Sequence, residues 1–384
     1  MKGLLLNNIS FRCSQCGKEF PVDTTDFRCV CGGLFDLQYT PPPFSLDLVD
    51  KREWSLFRYR EFLPVTNDLW KDISMGEGMT PVAKLSDNVF VKADYLMPTL
   101  SFKDRGAALV IWLAKTLGAK KIIQDSSGNA GNSIAAYAAR AGMECEIYVP
   151  EGTSPAKIKM IGSYGAAVRV LPLSRDDTAK ACREEAAKGA CYYASHVFNP
   201  FFYQGTKTFI YEVLEQLGRI PDNIFIPVGN GTMLIGAMLA LDELVSKGAI
   251  AGRPKIYAVQ SERCSPILDA FIAKRDDTSQ ITTHNAAQNA AHYAAQKTMA
   301  EGIAVGQPLR GVQILREAYR TGAEFIPAGE EGILEARAIL AQRGYYVEHT
   351  TAAAYAAYLS FRQKHDIKGD VLLPLTGAGL KSDK

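Results

Sequence analysis

A lysine capable of covalent chemistry lies in the run Ser101-Phe102-Lys103-Asp104-Arg105-Gly106. This run follows the strand-like residues 89–92, so the pattern predicts that Lys103 occupies the first turn of a helix. Lysine forms Schiff bases with carbonyl compounds, and an amine that is partly desolvated at the positive end of a helix dipole loses its proton more easily than in water. The alternative is a solvated helical turn without chemistry, and three further segments favour the chemical role.

A turn rich in serine, glycine and asparagine covers residues 125–133. It follows the strand-like residues 121–124 and leads into a predicted helix over 134–141. The backbone N–H groups at the helix N-terminus and the hydroxyls of Ser126 and Ser127 would then point at one small anion, such as a carboxylate. The alternative is an ordinary N-cap turn, which the same residue types also form.

Two further segments place polar groups at the ends of predicted strands. The run Gly229-Asn230-Gly231-Thr232 follows the apolar strand 224–226 and precedes a predicted helix over 233–244, so its glycines and the helix dipole favour phosphate binding. This run matches neither the Walker pattern nor the dinucleotide-binding fingerprint, which argues against a nucleotide. The apolar run 372–375 ends in Thr376, where an open α/β sheet presents its ligand-binding edge.

Together the four segments supply the groups that pyridoxal phosphate and an amino acid require: a Schiff-base amine, a carboxylate pocket, a phosphate-binding loop and a hydroxyl. Over nearly its whole length the chain resembles the threonine synthase branch of the pyridoxal-phosphate enzymes with the tryptophan synthase β-type fold, which is fold type II. The motifs that carry the resemblance occur in the family's order: Ser74-Met75-Gly76-Glu77-Gly78-Met79-Thr80-Pro81, Ser101-Phe102-Lys103-Asp104-Arg105-Gly106, Ser127-Gly128-Asn129-Ala130-Gly131-Asn132, Gly205-Thr206-Lys207-Thr208, Gly229-Asn230-Gly231-Thr232, Ala300-Glu301-Gly302-Ile303 and Leu375-Thr376-Gly377-Ala378-Gly379-Leu380-Lys381.

The resemblance implies a role for each matching position. Lys103 would bind the cofactor as a Schiff base and later carry protons, and Thr376 would face the pyridine nitrogen. Ser126 and Ser127 would bind the substrate carboxylate. The remaining implied cofactor contacts are Asn129 with the ring hydroxyl, and the backbone of Gly229, Asn230, Gly231 and Thr232 with the phosphate.

For a threonine synthase the implied reaction converts O-phospho-L-homoserine and water to L-threonine and phosphate. The chain departs from the family at Phe202, where many members carry an arginine that binds the substrate phosphate, and at Ala378, where histidine is common. An aromatic ring cannot replace the bidentate hydrogen bonds of arginine to phosphate. The sequence therefore leaves open β-replacement or β-elimination on O-phosphoserine, serine or threonine, as in cysteate synthase or threonine dehydratase. It also leaves open a non-catalytic binding protein that uses its cysteines to engage a partner.

Four of the eight cysteines lie near the amino terminus, at Cys13, Cys16, Cys29 and Cys31. Two pairs of cysteines separated by a short hairpin-like segment are typical of a zinc ribbon, in which four thiolates form a closed tetrahedral site. The alternative is a set of reduced cysteines without metal. A closed site leaves no open coordination position, so the predicted zinc is structural rather than catalytic.

Bulk composition narrows the class of protein. The 384 residues carry 43 basic and 41 acidic side chains, and a net charge of +2 favours neither nucleic acid nor a membrane surface as a partner. The apolar stretch at the amino terminus is too short for a signal peptide, and no later run approaches membrane-spanning length. We therefore expect a cytoplasmic enzyme with a small amino-acid substrate, and the resemblance implies a homodimer.

Apolar strands alternate with helices from residue 89 onward, which predicts an α/β fold with parallel sheets. The resemblance divides this body into a large cofactor-binding domain and a small mobile domain. We predict a zinc-ribbon-like module at 1–40, the large domain at 41–99 and 196–384, and the small domain at 100–195.

Overall fold

The computed structural model describes residues 8–274 and 297–381, which divide into two compact units. Unit 1 contains the residues up to Met79 and the segment Met97–Thr208. Unit 2 contains Thr80–Leu96 and the residues from Phe209 onward. Within the described ranges, no helix combines the length and the apolar character that a membrane crossing requires.

Strands and helices alternate along most of the chain. The strands are β1 (Ser10–Cys13), β2 (Glu19–Pro21), β3 (Phe35–Gln38), β4 (Val82–Ser86), β5 (Val89–Lys92), β6 (Lys121–Gln124), β7 (Glu144–Pro150), β8 (Ala167–Leu171), β9 (Tyr192–Tyr193), β10 (Asn223–Pro227), β11 (Lys255–Ser261), β12 (Glu324–Ala328) and β13 (Val371–Pro374). The α-helices are α1 (Lys103–Thr116), α2 (Asn129–Arg140), α3 (Pro155–Gly162), α4 (Arg175–Ala186), α5 (Phe201–Thr206), α6 (Thr208–Leu217), α7 (Thr232–Ser246), α8 (Pro266–Ile272), α9 (Gly311–Thr321), α10 (Glu330–Gln342) and α11 (His349–Arg362).

The strands form three sheets. Unit 1 contains an antiparallel sheet of order β2-β1-β3 in the cysteine module and a parallel sheet of order β8-β7-β6-β9. Unit 2 contains a sheet of order β12-β11-β10-β13-β5-β4, which is parallel except for the edge strand β4. Only two residues separate β4 from β5, and such a short connection permits only antiparallel pairing. The α/β prediction is confirmed, with this one antiparallel addition.

Helix α1 is the centre of unit 1, because every residue from Asp104 to Ala114 is buried. The side chain of Asn67 forms two hydrogen bonds that join the segment 41–79 to this helix. Its Nδ2 donates to Thr116 Oγ1 at 3.0 Å, and its Oδ1 accepts from Trp112 Nε1 at 3.0 Å. Residues 41–79, predicted for the large domain, therefore belong to the same compact unit as α1.

The cysteine module and α5 also pack within unit 1. The ring of Phe11 in β1 meets the ring of Phe201 edge to face, with 6.2 Å between centroids. Arg105 Nη1 donates to Thr208 Oγ1 at 2.9 Å. These contacts place residues 196–208 in unit 1, so the compact units differ here from the predicted domains.

A buried ion pair joins β5 to α6 in unit 2. Lys92 Nζ lies 2.6 Å from Glu212 Oε2, and neither side chain is exposed. Removing one partner of such a pair leaves an uncompensated buried charge, which costs about 3–5 kcal/mol. The pair therefore fixes β5 within the sheet whose strand ends carry Gly229 and Thr376.

Candidate functional site

Helix α1 begins at Lys103, as the sequence pattern predicted. The half-buried lysine places its Nζ 4.5 Å from the centroid of the Phe102 ring and 5.5 Å from that of Phe202. Two residues earlier, the Ser101 hydroxyl is buried and has no hydrogen-bond partner within the described residues. A buried hydroxyl without a partner is costly, so this oxygen marks a position where a ligand could bond.

The Asp104 carboxylate ties the start of α1 to α2. It is fully buried and accepts hydrogen bonds from the Thr99 backbone N–H at 2.7 Å and from the Ser133 hydroxyl at 2.6 Å. The Thr99 hydroxyl makes a further short hydrogen bond to the same carboxylate. Because Asp104 follows Lys103 directly, these bonds fix the lysine relative to the turn at 125–133.

Helix α2 begins at Asn129, five residues before the predicted start at Ile134. Its first turn is regular, because the Asn132 N–H donates to the Gly128 carbonyl at 3.1 Å. A Cβ on Gly131 would lie 1.8 Å from the Ser126 carbonyl oxygen, so only glycine allows the turn to close this tightly. The N–H groups of a 12-residue helix therefore open directly at the predicted carboxylate pocket.

Gln124 connects this turn to a histidine. Its Oε1 accepts from the Ser126 N–H at 2.7 Å, and its Nε2 lies 3.3 Å from His196 Nδ1. Burial, with a smaller contribution from the nearby Lys103 charge, holds the pKa of His196 well below its usual range, so the imidazole is neutral at neutral pH. The sequence did not indicate His196 as a site residue. The only feature that marks this histidine in the sequence is its position three residues before Asn199-Pro200.

Phe202 lies beside Lys103 and is fully buried. Its ring packs closely on α1, since a Cβ on Gly106 would lie 2.4 Å from the ring, and it meets the His196 ring at 5.9 Å. The position where the resemblance leads us to expect an arginine therefore does adjoin the lysine. It contributes an aromatic ring there in place of a cation.

In unit 2 the predicted phosphate loop lies between β10 and α7. Gly231 is the N-cap of the 15-residue α7 and has φ of 73°, a left-handed conformation that glycine adopts without strain. Gly229 is closely covered, because a Cβ there would lie 3.0 Å from Val305 Cγ2 and 3.1 Å from the Gly302 carbonyl oxygen. The predicted motif that contains Gly302 therefore lies against the loop, and the N-terminus of a long helix begins at the predicted phosphate loop.

Thr376 follows β13, and its buried hydroxyl lies 2.8 Å from Thr351 Oγ1. The Gly377 N–H donates to the same Thr351 oxygen at 3.0 Å, which fixes the strand end to the first turn of α11. Ala378 is buried and pairs with Val347 in a short antiparallel bridge. This position therefore carries a methyl group where an imidazole was expected from the resemblance.

The four amino-terminal cysteines converge in the cysteine module. Their Sγ atoms all lie within 4.8 Å of one another, with Cys13 and Cys31 at 3.5 Å and Cys16 and Cys29 at 3.6 Å. A tetrahedral zinc bound by thiolates at about 2.3 Å would separate sulfur atoms by about 3.8 Å. A Cβ on Gly33 would lie 2.4 Å from Cys13 Sγ, so the cluster has space only because glycine follows the second pair.

The chain is similar to known proteins along almost its whole length. A family model described as pyridoxal-phosphate dependent enzyme matches residues 73–377. The threonine synthase of Methanocaldococcus jannaschii is 31% identical over 387 residues, which cover 96% of this chain and 92% of the relative. The threonine synthase of Bacillus sp. strain ULM1 is also 31% identical and covers 85% of this chain and 89% of the relative.

Solved structures show the same fold with different named activities. The threonine deaminase of T.th. has a TM-score of 0.61 and 26% identity, and the match covers 76% of this chain and 87% of that chain. Maize serine racemase has a TM-score of 0.65 and 20% identity, with 78% and 88% coverage, which supports the fold alone.

Glu77 is a buried carboxyl group within the matched region. It accepts hydrogen bonds from the Met75 N–H at 2.8 Å and the Tyr137 hydroxyl at 3.0 Å, while its Oε1 is buried without a partner in the described part of the chain. Burial outweighs these hydrogen bonds and raises the pKa of Glu77 to about 7. The folded protein therefore holds the Glu77 proton more tightly than the unfolded chain does.

We predict a specific pH dependence of stability from Glu77. Its contribution is fully present below its ordinary pKa of 4.5 and is lost as the pH rises through about 7, so the free energy of unfolding falls over that window. The fall should be about 3 kcal/mol relative to Glu77→Gln, measured by urea denaturation. Glu61→Gln, which alters an exposed carboxylate of unit 1, should keep the wild-type profile. Parallel profiles for wild type and Glu77→Gln would refute the assignment.

Proposed function

Because the chain belongs to the pyridoxal-phosphate dependent enzymes and, within them, to the threonine synthase family, we propose that it converts O-phospho-L-homoserine and water to L-threonine and phosphate. Its fold is the α/β fold type II of these enzymes, as predicted. The observation that carries the proposal is the similarity to a threonine synthase over 96% of the chain, which is more than the family match at residues 73–377 covers.

The residues present fit the cofactor. The Ser101 hydroxyl, which has no partner among the described residues, offers a polar contact two residues before Lys103, and the left-handed Gly231 begins α7, whose N-terminus would face a phosphate. In the proposal Lys103 would hold pyridoxal phosphate covalently, and Thr376 would face the ring nitrogen. The other proposed contacts are Asn129 with the ring hydroxyl, and the backbone of Gly229, Asn230, Gly231 and Thr232 with the phosphate.

When bound, pyridoxal phosphate withdraws electrons from the α carbon of an attached amino acid. Ser126 and Ser127 would orient the substrate by its carboxylate, at the N-terminus of α2. Lys103 Nζ would then remove the α proton and afterwards a β proton, and phosphate would leave the γ carbon with the electrons of its C–O bond. Lys103 would return one proton to the γ carbon and one to the α carbon, while water would supply hydroxide to the β carbon and a proton to the departing phosphate. His196 is neutral and buried, so Lys103 is the group proposed to carry both protons.

Phe202 supports a second candidate function. Its ring fills the space beside Lys103 where a phosphate-binding arginine was expected, and the neighbouring His196 is neutral. A site without these cations favours a substrate with an uncharged leaving group, such as the hydroxyl of serine or threonine. The similarity to a threonine deaminase structure agrees with this candidate, which is a β-elimination. O-phosphoserine, the other substrate considered from sequence, would need a phosphate-binding cation from elsewhere in the site.

We further propose that Cys13, Cys16, Cys29 and Cys31 bind one structural zinc ion. The sulfur separations and the set of four thiol donors support the proposal, and a closed four-thiolate site has a structural role. A structural zinc site explains the cysteine cluster without the alternative of a non-catalytic protein that uses these cysteines to bind a partner. A homodimer and a cytoplasmic location remain predictions from the sequence.

Lys103→Ala should abolish the visible absorbance of the bound cofactor and reduce turnover by at least a thousandfold, because the proposed Schiff base needs the Lys103 amine. The measurement is an absorbance spectrum of purified protein after incubation with pyridoxal phosphate. Lys115→Ala, at the other end of α1, should retain the band. A visible band in Lys103→Ala like that of wild type would reject the lysine assignment.

Purified protein should release phosphate and form threonine from O-phospho-L-homoserine. Parallel assays would use O-phospho-L-serine with sulfite, L-serine and L-threonine. No turnover of the first substrate, together with keto-acid formation from serine or threonine, would reject the leading proposal in favour of β-elimination. Phe202→Arg should raise kcat/KM for O-phospho-L-homoserine by about tenfold to a hundredfold through charge-assisted hydrogen bonds, whereas Phe202→Leu should not.

Cys13→Ser should lower the zinc content and the thermal midpoint of unfolding, because a structural metal contributes directly to folding. Zinc would be measured by atomic absorption and unfolding by calorimetry. Cys264→Ser, which changes a buried cysteine of unit 2, should leave the zinc content unchanged. Wild-type protein that contains no zinc, and whose unfolding a chelator does not alter, would disprove the metal site.

A further inference from the structure

A cavity of about 390 Å³ lies within unit 1, where the cysteine module meets the parallel sheet. Small-molecule sites commonly enclose about 300–1,000 Å³, so the cavity has the size of a ligand site. Its walls come from residues 22–27 of the module and from residues 117–120, 189–193 and 198–200 of the sheet region. None of the residues proposed to contact pyridoxal phosphate or the substrate carboxylate lines it.

Aromatic rings form one wall of the cavity. Phe27 of the module meets Tyr193 at 5.3 Å and Phe198 at 5.4 Å between ring centroids, in both cases edge to face. Phe11 and Phe35 extend this apolar surface. Aromatic walls in this arrangement pack well against a large apolar or aromatic side chain.

The rim of the cavity carries charges of both signs. Asp23 and Asp26 are exposed on the module loop, and Lys120 is exposed on the turn that follows α1. In the described ranges none of these three side chains forms an ion pair, so their charges are available to a ligand. A ligand with an ammonium group, a carboxylate and an apolar group would match the carboxylates, the lysine and the aromatic wall together.

We propose that this cavity binds a free α-amino acid with a large apolar side chain. The ammonium group lies towards Asp23 and Asp26, the carboxylate lies towards Lys120, and the side chain packs among the aromatic rings. This inference concerns a site apart from the proposed reaction and does not depend on which substrate the enzyme uses.

Two sets of contacts connect the cavity to the candidate active site. The Tyr193 hydroxyl donates to Asp125 Oδ1 at 2.7 Å, and Asp125 directly precedes Ser126. Asn199 accepts from the Phe201 N–H at 3.0 Å, directly before the Phe202 ring that adjoins Lys103. A ligand in the cavity therefore contacts the segments that lead to both Ser126 and Phe202, and its binding should change KM more than kcat.

Binding would be measured on the cofactor-loaded enzyme by equilibrium dialysis with L-phenylalanine and L-leucine. Three comparison compounds each lack one feature: phenethylamine lacks the carboxylate, 3-phenylpropanoate lacks the ammonium group and glycine lacks the apolar group. We expect saturable binding of both amino acids, and at least tenfold weaker binding of each comparison compound. The proposal would be overturned if any of the three comparison compounds bound as tightly as the amino acids. It would also be overturned if the amino acids did not bind at concentrations up to about 10 mM.

Variants separate this cavity from the active site. The double substitution Asp23→Asn with Asp26→Asn should weaken binding at least tenfold, whereas Glu19→Gln, on the same module but outside the cavity, should not. Ala190→Trp should block binding by filling the space without changing a charge, which provides a second test should the double variant be unstable. Binding that survives both changes, or that perturbs the visible cofactor band equally in all variants, would place the amino acid at the active site and refute the cavity.

Discussion

The buried Asp104 carboxylate is the constraint on which the part of unit 1 around Lys103 depends. A carboxylate that is shielded from solvent must be compensated by hydrogen bonds. Here Thr99, before Asp104 in the chain, and Ser133, after it, donate those bonds. Because these donors lie before α1 and inside α2, both helices are fixed at their N-terminal ends. The amine of Lys103 and the N–H groups near Ser126 thereby acquire a defined relation, which would reduce the cost of ordering them in the proposed reaction.

In the proposed site, the side of Lys103 that faces Phe202 would decide substrate choice more than the proposed cofactor contacts would. The predicted phosphate loop and strand-end hydroxyl would serve any pyridoxal-phosphate reaction of this fold, so they would not distinguish among substrates. Phe202 and neutral His196 would distinguish, because neither side chain offers a positive charge to a phosphorylated substrate. Family membership favours O-phospho-L-homoserine, whereas the uncharged ring of Phe202 favours serine or threonine. Substitutions at position 202 would therefore distinguish the two proposals.

Sequence patterns predicted the elements whose boundaries depend on local chemistry. The starts of α1 and α7 follow apolar strands and polar or glycine-rich turns, and both occur within one residue of the predicted position. The start of α2 was missed by five residues, because Gly131 tolerates a contact with the Ser126 carbonyl that no local pattern reveals. His196 and the grouping of Asn67 with Trp112 were not predictable for a different reason: both depend on partners that are distant in sequence.

The cysteine module is part of the compact unit that contains Lys103 rather than an appendage to it. Phe11, two residues before Cys13, packs against Phe201, and Phe201 in turn stacks on Trp112 of α1 at 6.2 Å. Phe201 directly precedes the ring that adjoins Lys103, so the module packs against the helix that carries this ring. A three-stranded sheet this small has little core of its own, and a metal would compensate for that deficit. Metal binding in the module would therefore stabilise the surroundings of the lysine through packing, without any contact between the metal and the substrate.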